Sequence, residues 1–158
     1  MTDTIDTRQA KTPEIIELVE RPAAVVHIGA TMAEFPRLIG EAFGLAARTI
    51  AGSSAIIAGH PFARYLSFGD RIEAEAGFPF AGTLVPADDR VRQTTLPGGR
   101  AVKATHIGPY DEIGAAWERT TAWMGEHGLE GAGPPWEAYL TGPDEPGPPV
   151  TEIFWPIR

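Results

Sequence analysis

The sequence predicts a fold of mixed strands and helices, built from two pseudo-symmetric units that each run strand, helix, strand, strand. Two observations lead to this prediction. Apolar residues recur at strand spacing and at helix spacing in that order, twice along the chain. Short motifs also recur at matching points of the two halves. Halves of this kind pair around a pseudo-two-fold axis, so we expect their sheets to form one curved surface with a central ligand cleft.

Length and composition favour a single domain. The chain has 158 residues, and 43% of them are hydrophobic, which is enough for a packed core. We expect residues 1–13 to form a flexible tail, because this stretch is polar and lacks the apolar segment of a secretory signal. Residues 14–158 are then one domain, with repeat units of approximately 14–81 and 90–158. The polar connection Gly82–Asp89 is the predicted boundary between the units.

The first predicted unit begins with a strand over Ile15–Ile28, in which Pro22 marks a bulge or an edge. Thr31 and Glu34 match a capping box, so we expect a helix that runs to about Ile50. Seven apolar residues at helical spacing form its inward stripe, namely Phe35, Leu38, Ile39, Ala42, Phe43, Ala46 and Ala47.

Two further strands complete this unit. The chain from Ile56 to Phe68 is predicted as a strand that is interrupted near Gly59-His60-Pro61. Residues Arg71–Phe78 alternate between apolar and charged side chains, which is typical of a half-buried strand.

The second unit repeats this order. Val91–Ile107 is predicted as a strand pair or a bent strand, broken by the turn signal Pro97-Gly98-Gly99. A helix over Tyr110–Glu126 follows, and Trp136–Leu140 and Thr151–Ile157 are the last strands. The helix is expected to face inward with Ile113, Ala116, Trp117, Thr120 and Met124.

Sequence matches support the repeat. His27-Ile28-Gly29 recurs as His106-Ile107-Gly108, each time just before a helix. The strand after the first helix resembles Trp136–Leu140, and in this alignment Ala63 stands where the second unit has Glu137. An acid at only one of two symmetric positions indicates where a function could lie, although drift after a duplication explains it equally well.

The surroundings of Glu137 suggest a binding site. On an alternating strand Glu137 faces the same side as Tyr139 and the side opposite Trp136. A carboxylate and a phenol among aromatic residues can hold a cation or an acid–base group at the edge of an apolar pocket. The alternative is an exposed strand face on which both side chains meet water.

Six aromatic and acidic side chains form the predicted ligand-binding set: Glu137, Tyr139, Trp136, Tyr110, Trp155 and Glu152. Aromatic faces attract cations, and a partly desolvated carboxylate strengthens that attraction. The same groups could also perform chemistry. Burial raises the pKa of a carboxylic acid, so one glutamate could donate a proton while another stays ionised and positions water.

Several classes of partner and cofactor are disfavoured. The net charge is −8, and the only lysines are Lys11 and Lys103, so the chain lacks the basic footprint of nucleic-acid binding. The absence of cysteine excludes disulfides and thiolate metal sites and fits the cytoplasm, where we place the protein. No apolar run approaches the ~20 residues of a membrane span. The scattered histidines and the lack of a phosphate-binding loop predict neither a metal nor a cofactor.

Five segments are distinctive when they are taken together and in order. They are Leu96–Arg100, Thr105–Tyr110, Glu126–Leu129, Gly133–Leu140 and Thr151–Ile153. Their order resembles that of the GyrI-like small-molecule-binding domain. This domain is the effector-binding part of multidrug-responsive transcription activators and also occurs free-standing. The resemblance covers most of the chain from about residue 15, and it implies an α+β fold with a curved antiparallel sheet and a central ligand cleft.

The resemblance also implies roles for individual residues. Glu137 matches the pocket glutamate that faces hydrophobic and often cationic ligands, and the other five residues of the predicted set are its neighbours. In transcription activators the domain follows a helical DNA-binding module. We expect no such module in this chain, because only about a dozen residues precede its first strand. Some free-standing relatives are hydrolases that open the cyclopropane rings of DNA-alkylating natural products by adding water.

Three functions therefore remain open. The first is stand-alone binding of hydrophobic small molecules, including cations, with Glu137 as the acidic anchor. The second is a ring-opening hydrolase, in which Glu137 and Glu152 activate water while Tyr110 or Tyr139 orients the electrophile. The third is inhibition of a protein partner, as the resemblance to a topoisomerase-binding relative implies, but no feature of the sequence marks such a surface.

Overall fold

The computed structural model describes residues 12–86, 88–142 and 145–158, so residues 1–11 of the predicted tail lie outside the described residues. The fold is α+β, as predicted, with antiparallel strands and two α-helices in the described part of the chain. The chain divides into two compact units. The first unit is Val19–Gly98, and the second combines a short N-terminal strand with Gly99–Arg158.

In chain order the elements are β1 (Glu14–Leu18), β2 (Arg21–Thr31), α1 (Phe35–Ala51), β3 (Ser54–Ile57), β4 (Phe62–Ser67), β5 (Arg71–Thr83), β6 (Val91–Leu96), β7 (Gly99–Ile107), a 3₁₀ turn (Tyr110–Glu112), α2 (Ile113–Glu126), β8 (Trp136–Tyr139) and β9 (Val150–Pro156). Each unit thus contains the predicted order of strand, helix, strand and strand. None of the helices in the described residues is long and apolar enough to cross a membrane.

The first unit is a sheet in the order β6-β2-β5-β4, with β3 paired to the far end of β5. Helix α1 covers one face of this sheet. Phe35 and Ala42 pack on Ile28 and Ile72, and Leu38, Ile39 and Phe43 add to the same cluster. The helical stripe predicted from the sequence therefore faces the sheet, because apolar residues at this spacing share one side of a helix.

The second unit is a sheet in the order β1-β7-β9-β8. Helix α2 covers the face that carries Val102, Ala104 and Ile153, against which Ala116 and Met124 are buried. This packing matters for function, because the same face of the short strand β8 carries Glu137 and Tyr139.

The N-terminal strand departs from the prediction. The segment Ile15–Ile28 was expected to be one strand, but it is divided between β1 and β2. The reason is a change of partner, since β1 pairs with β7 whereas β2 pairs with β5 and β6. Pro22 lies inside β2, opposite Thr95.

The boundary between units also lies elsewhere than expected. It falls between Gly98 and Gly99, and not in the connection Gly82–Asp89. Strand β6 belongs to the first unit because it pairs with β2 over Arg21–Val26. Pairing with a distant strand outweighs the local turn signals from which a boundary is predicted.

The capping box before α1 is formed in part. The Thr31 N–H donates to Oε1 of Glu34 at 3.2 Å, as in the predicted motif, while the helix itself begins at Phe35. This backbone hydrogen bond is the main reason that the pKa of Glu34 lies below its usual value, and the Thr31 hydroxyl adds to the effect.

Candidate functional site

Glu137 is a buried acid in the middle of strand β8, with 2% of its surface exposed. In the register of β8 with β9 it lies opposite Ile153, which packs under helix α2. Side chains alternate along a strand, so Glu137 and Tyr139 point to the helix-covered face. A buried charge requires hydrogen-bond partners, and the structure supplies them from β8, α2 and the 3₁₀ turn.

Two phenols bind one oxygen of this carboxylate. The hydroxyl of Tyr110 donates to Oε1 of Glu137 at 2.6 Å, and the hydroxyl of Tyr139 donates to the same oxygen at 2.7 Å. The two hydroxyl oxygens are 3.5 Å apart, and the two rings meet edge to face with centroids 5.7 Å apart. The structure thus brings together three of the six residues predicted for the site.

An indole binds the other oxygen. The Nε1–H of Trp117, on helix α2, donates to Oε2 of Glu137 at 2.5 Å. Trp117 was predicted to face inward but was not included in the site. The signal that could have identified it is chemical, because a tryptophan N–H that is removed from water needs an acceptor.

The residues that bind the two carboxylate oxygens differ in their exposure to solvent. Tyr110 is 43% exposed and Tyr139 is half-buried, so Oε1 is bound by the most exposed of the three donor residues. Oε2 is held from within by the half-buried indole of Trp117. Together the three donors act on an acceptor-only carboxylate, which is the pattern expected when the group carries its negative charge.

Trp155 reaches the site through Trp117. It lies on β9 opposite Val102, on the helix-covered face, and its ring meets that of Trp117 edge to face at 5.7 Å. Trp155 therefore contacts the residue whose indole binds Glu137.

Glu152 and Trp136 are not brought to Glu137. By strand register both lie on the opposite face of the sheet, where Glu152 pairs with Nζ of Lys103 at 3.1 Å. Trp136 is 4% exposed and stacks on Phe154. Alternation along β8 and β9 produces this separation, since residues one step apart on a strand face opposite sides.

The first unit has an apolar residue at the position that matches Glu137. Ala63 is fully buried on β4 at the position that the repeat assigns to Glu137. Tyr65, which corresponds to Tyr139, stacks on Phe35 with ring centroids 6.0 Å apart. This position therefore packs as apolar core in the first unit, whereas in the second unit it holds a carboxylate.

The histidines that the repeat relates to each other have different surroundings. The Nε2–H of the buried His106 donates to the carbonyl oxygen of Pro109 at 2.9 Å, which ties the end of β7 to the 3₁₀ turn. His27 is exposed and lies 2.6 Å from Oε1 of Glu73. Across the described ranges, no three metal-binding side chains come together.

The fold and its family define a small-molecule-binding domain. A model of the GyrI-like small molecule binding domain matches residues 11–158. The chain belongs to this family, and the resemblance seen in its motifs is confirmed. No curated protein matches the sequence.

Solved structures share the fold at low sequence identity. EcmrR, in a complex with DNA studied by cryo-electron microscopy, has a TM-score of 0.79 and 15% identity over 99% of this chain and 63% of that chain. The present chain therefore spans less than two thirds of EcmrR. SAV2435 bound to tetraphenylphosphonium has a TM-score of 0.66 and 13% identity, over 92% and 93% of the two chains. A hydrolase from Listeria innocua has a TM-score of 0.64 and 15% identity, over 99% and 97%.

Proposed function

We propose that this domain binds hydrophobic small molecules that carry a positive charge, and that Glu137 is the anchor for that charge. The observation that supports this most directly is the buried carboxylate, held by Tyr110, Tyr139 and Trp117. Core packing does not require a carboxylate at this position. The first unit has the buried apolar residue Ala63 at the matching position, and a buried charge is seldom more stabilising than an apolar side chain.

The aromatic rings around Glu137 suit a lipophilic cation. The faces of tyrosine and tryptophan attract a cation within about 6 Å of the ring centre, and the nearby carboxylate adds a direct charge contact. Both effects are stronger where water is excluded, because the effective dielectric constant is lower there. Binding of tetraphenylphosphonium by SAV2435, which shares the fold, supports this ligand class.

Charge recognition is tested with two ligands of matched shape. Methyltriphenylphosphonium is a cation, and triphenylphosphine oxide is a neutral molecule of similar size. We expect calorimetric titration to show the cation bound at least about tenfold more tightly, as a partly desolvated charge contact of about 1.4 kcal/mol or more predicts. Equal affinities would contradict the proposal.

Ionic strength separates a contact in the site from general attraction. The protein has a net charge of −8, which draws any cation towards it. Salt screens such long-range attraction but has little effect on a buried contact. The preference for the cation should therefore persist when the titration is repeated at high salt.

A second candidate function is hydrolysis of a strained ring. The specific observation is that the hydroxyl of Tyr110, an exposed residue, lies 2.6 Å from Oε1 of Glu137, which is the geometry of a coupled acid and base. The structural likeness to a hydrolase from Listeria innocua favours the same candidate. Because Glu152 lies on the opposite face, this version uses one carboxylate and two phenols in place of the two glutamates predicted from the sequence.

The proposed step consumes one water. Glu137 takes a proton from water while the water oxygen attacks a cyclopropane carbon. The carbon–carbon bond breaks, its electrons pass to a conjugated carbonyl, and the carbonyl oxygen takes a proton from Tyr110. Glu137 then returns a proton to Tyr110, so the net change is the addition of water across the broken bond.

Mass spectrometry decides between the two candidates. A cyclopropane-bearing alkylator is incubated with the wild type and with Tyr110→Phe, which keeps the ring and removes the proton. Hydrolysis predicts a product heavier by one water, formed roughly a hundredfold more slowly by the variant, as expected for loss of a general acid. Recovery of intact alkylator from both proteins rules out this activity and leaves ligand binding. In either case we place the protein in the cytoplasm, as a chain without cysteine suggests.

A further inference from the structure

We propose that Gly131 and Trp155 are positioning residues that set the orientation of the Glu137 carboxylate through Trp117. This inference rests on the proposed function, because it concerns how the site distinguishes a cation from a neutral ligand. It assigns a role in specificity to two residues that act on the carboxylate through the indole of Trp117.

Gly131 leaves space for the indole of Trp155. A Cβ atom at position 131 would lie 2.5 Å from Nε1, 3.3 Å from Cδ1 and 3.4 Å from Cε2 of Trp155. The first distance is shorter than any real contact of a Cβ atom. Gly131 is not among the glycines with positive φ, so its backbone would accept alanine. The absence of a side chain at this position is therefore explained by the indole and not by the backbone conformation.

The backbone around Gly131 cannot easily move away from the indole. Gly131 forms an isolated antiparallel bridge with Ile157, directly after β9. On one side the Ala132 N–H donates to the carbonyl of Pro156 at 2.8 Å, and on the other the Arg158 N–H donates to the carbonyl of Glu130 at 3.1 Å. Because these two hydrogen bonds, one on each side of Gly131, tie this segment to the end of β9, an added methyl group would displace Trp155.

Displacement of Trp155 would be passed to Trp117. Their rings meet edge to face with centroids 5.7 Å apart and planes at 70°. The Nε1–H of Trp117 donates to Oε2 of Glu137, so a shift of this ring lengthens or breaks that hydrogen bond. Contacts therefore run from Gly131 to Trp155, then to Trp117 and Glu137.

The indole fixes a torsion that the glutamate alone leaves loose. The last side-chain torsion of glutamate is broad and roughly two-fold, so its rotamer does not set the plane of the carboxylate. Both phenols bind Oε1, and the indole of Trp117 binds Oε2. Holding Oε2 keeps Oε1 beside the exposed Tyr110, where a cation would arrive. A fixed charge costs no reorganisation on binding, which favours the cation over a neutral ligand.

Gly131→Ala tests this role, with Gly133→Ala as the matched control in the same loop. A Cβ atom at Gly133 has no neighbour within 4 Å. We expect Gly131→Ala to weaken methyltriphenylphosphonium binding about tenfold, the size expected for one hydrogen bond to a charged group, and to leave triphenylphosphine oxide nearly unchanged. Gly133→Ala should change neither. Circular dichroism should also show that Gly131→Ala reduces the exciton couplet of the Trp117–Trp155 pair.

A double-mutant cycle shows whether Gly131 acts through Trp117. Trp117→Phe should itself weaken cation binding about tenfold. Adding Gly131→Ala to it should cause little further loss, because the effects of two substitutions that act through the same hydrogen bond are not additive. Trp155→Phe, which keeps a ring without the larger indole, should match Gly131→Ala. It also provides the test if Gly131→Ala does not fold.

The inference and the proposed function fail in different ways. Equal losses for the cation and the neutral ligand in Gly131→Ala and Trp155→Phe, or additive effects with Trp117→Phe, would overturn the positioning role. If Glu137→Gln nevertheless abolishes cation selectivity, the proposed function stands. If Glu137→Gln leaves cation binding unchanged, both are overturned.

Discussion

Glu137→Gln is expected to weaken the binding of methyltriphenylphosphonium roughly a hundredfold, since losing one partner of a buried charge contact costs about 3 kcal/mol. Binding of triphenylphosphine oxide should change little, because this ligand offers no charge to the carboxylate. Calorimetric titration of both ligands measures the effect. A small and equal change for both ligands would show that Glu137 is not the anchor.

This substitution should leave the fold nearly intact. Glutamine has the same shape, and its amide oxygen can accept from the indole N–H of Trp117, which is only a donor. The amide NH₂ group then faces the hydroxyls of Tyr110 and Tyr139, which can act as acceptors as well as donors. The midpoint temperature of thermal unfolding should therefore be close to that of the wild type, so that any loss of affinity reflects the lost charge.

Glu152→Gln is the matched control. It changes the net charge by the same amount but acts on the opposite face of the sheet, where Glu152 pairs with Lys103. We expect cation affinity to change by less than about threefold, because a charge outside the site acts only through screened, long-range attraction. Similar losses in Glu137→Gln and Glu152→Gln would instead assign the attraction to the overall charge of the protein.

Gly77→Ala is expected to destabilise the first unit by at least about 3 kcal/mol, which is a severe effect for the addition of one methyl group. Gly77 lies in the middle of β5, opposite Val25 on β2. A Cβ atom there would lie 1.8 Å from the carbonyl oxygen of Ala24 and 2.9 Å from Cα of Val25. These are backbone atoms of a central strand, so only a shift of the β2–β5 pairing could relieve the overlap.

Urea unfolding followed by far-ultraviolet circular dichroism measures this effect. Gly40→Ala is the matched glycine control, because Gly40 is exposed on α1 and its added methyl group has no neighbour within 4 Å. Because alanine is favoured over glycine in a helix interior, Gly40→Ala should raise the free energy of unfolding by about 0.5–1 kcal/mol. All four tryptophans lie between residues 117 and 155, so their fluorescence follows the second unit separately. If Gly77→Ala were as stable as the wild type, β2 would not lie close enough to Gly77 to exclude a methyl group.

Much of the fold could be predicted because its signals are local. The stripe of α1 and the inward residues of α2 follow from apolar spacing, and the structure confirms both. The interruption at Gly59-His60-Pro61 and the break at Pro97-Gly98 also separate strands as expected. The single strand over Ile15–Ile28 was wrong, because the point where a chain changes its pairing partner depends on strands that are distant in sequence.

The candidate site divides in the same way. Alternation along β8 places Glu137 with Tyr139 and apart from Trp136, and the sequence alone predicts that separation. The choice of Glu137 as a ligand anchor stays a prediction that the proposed variants test. The sequence did not reveal Trp117 as a donor, because its contact joins a helix to a strand residue that lies 20 positions further along the chain.

The sequence by itself determined the order of the elements, the inward face of each helix, the family, and the one acid that interrupts the internal repeat at Glu137. These properties depend on the spacing of side chains along the chain and on residue type. Only the tertiary structure decided that two phenols bind one carboxylate oxygen and an indole binds the other. It also placed Glu152 beside Lys103 and fitted Gly131 against Trp155. Such contacts depend on strand register and on how a helix lies over a sheet, and no local pattern of residues encodes either of them.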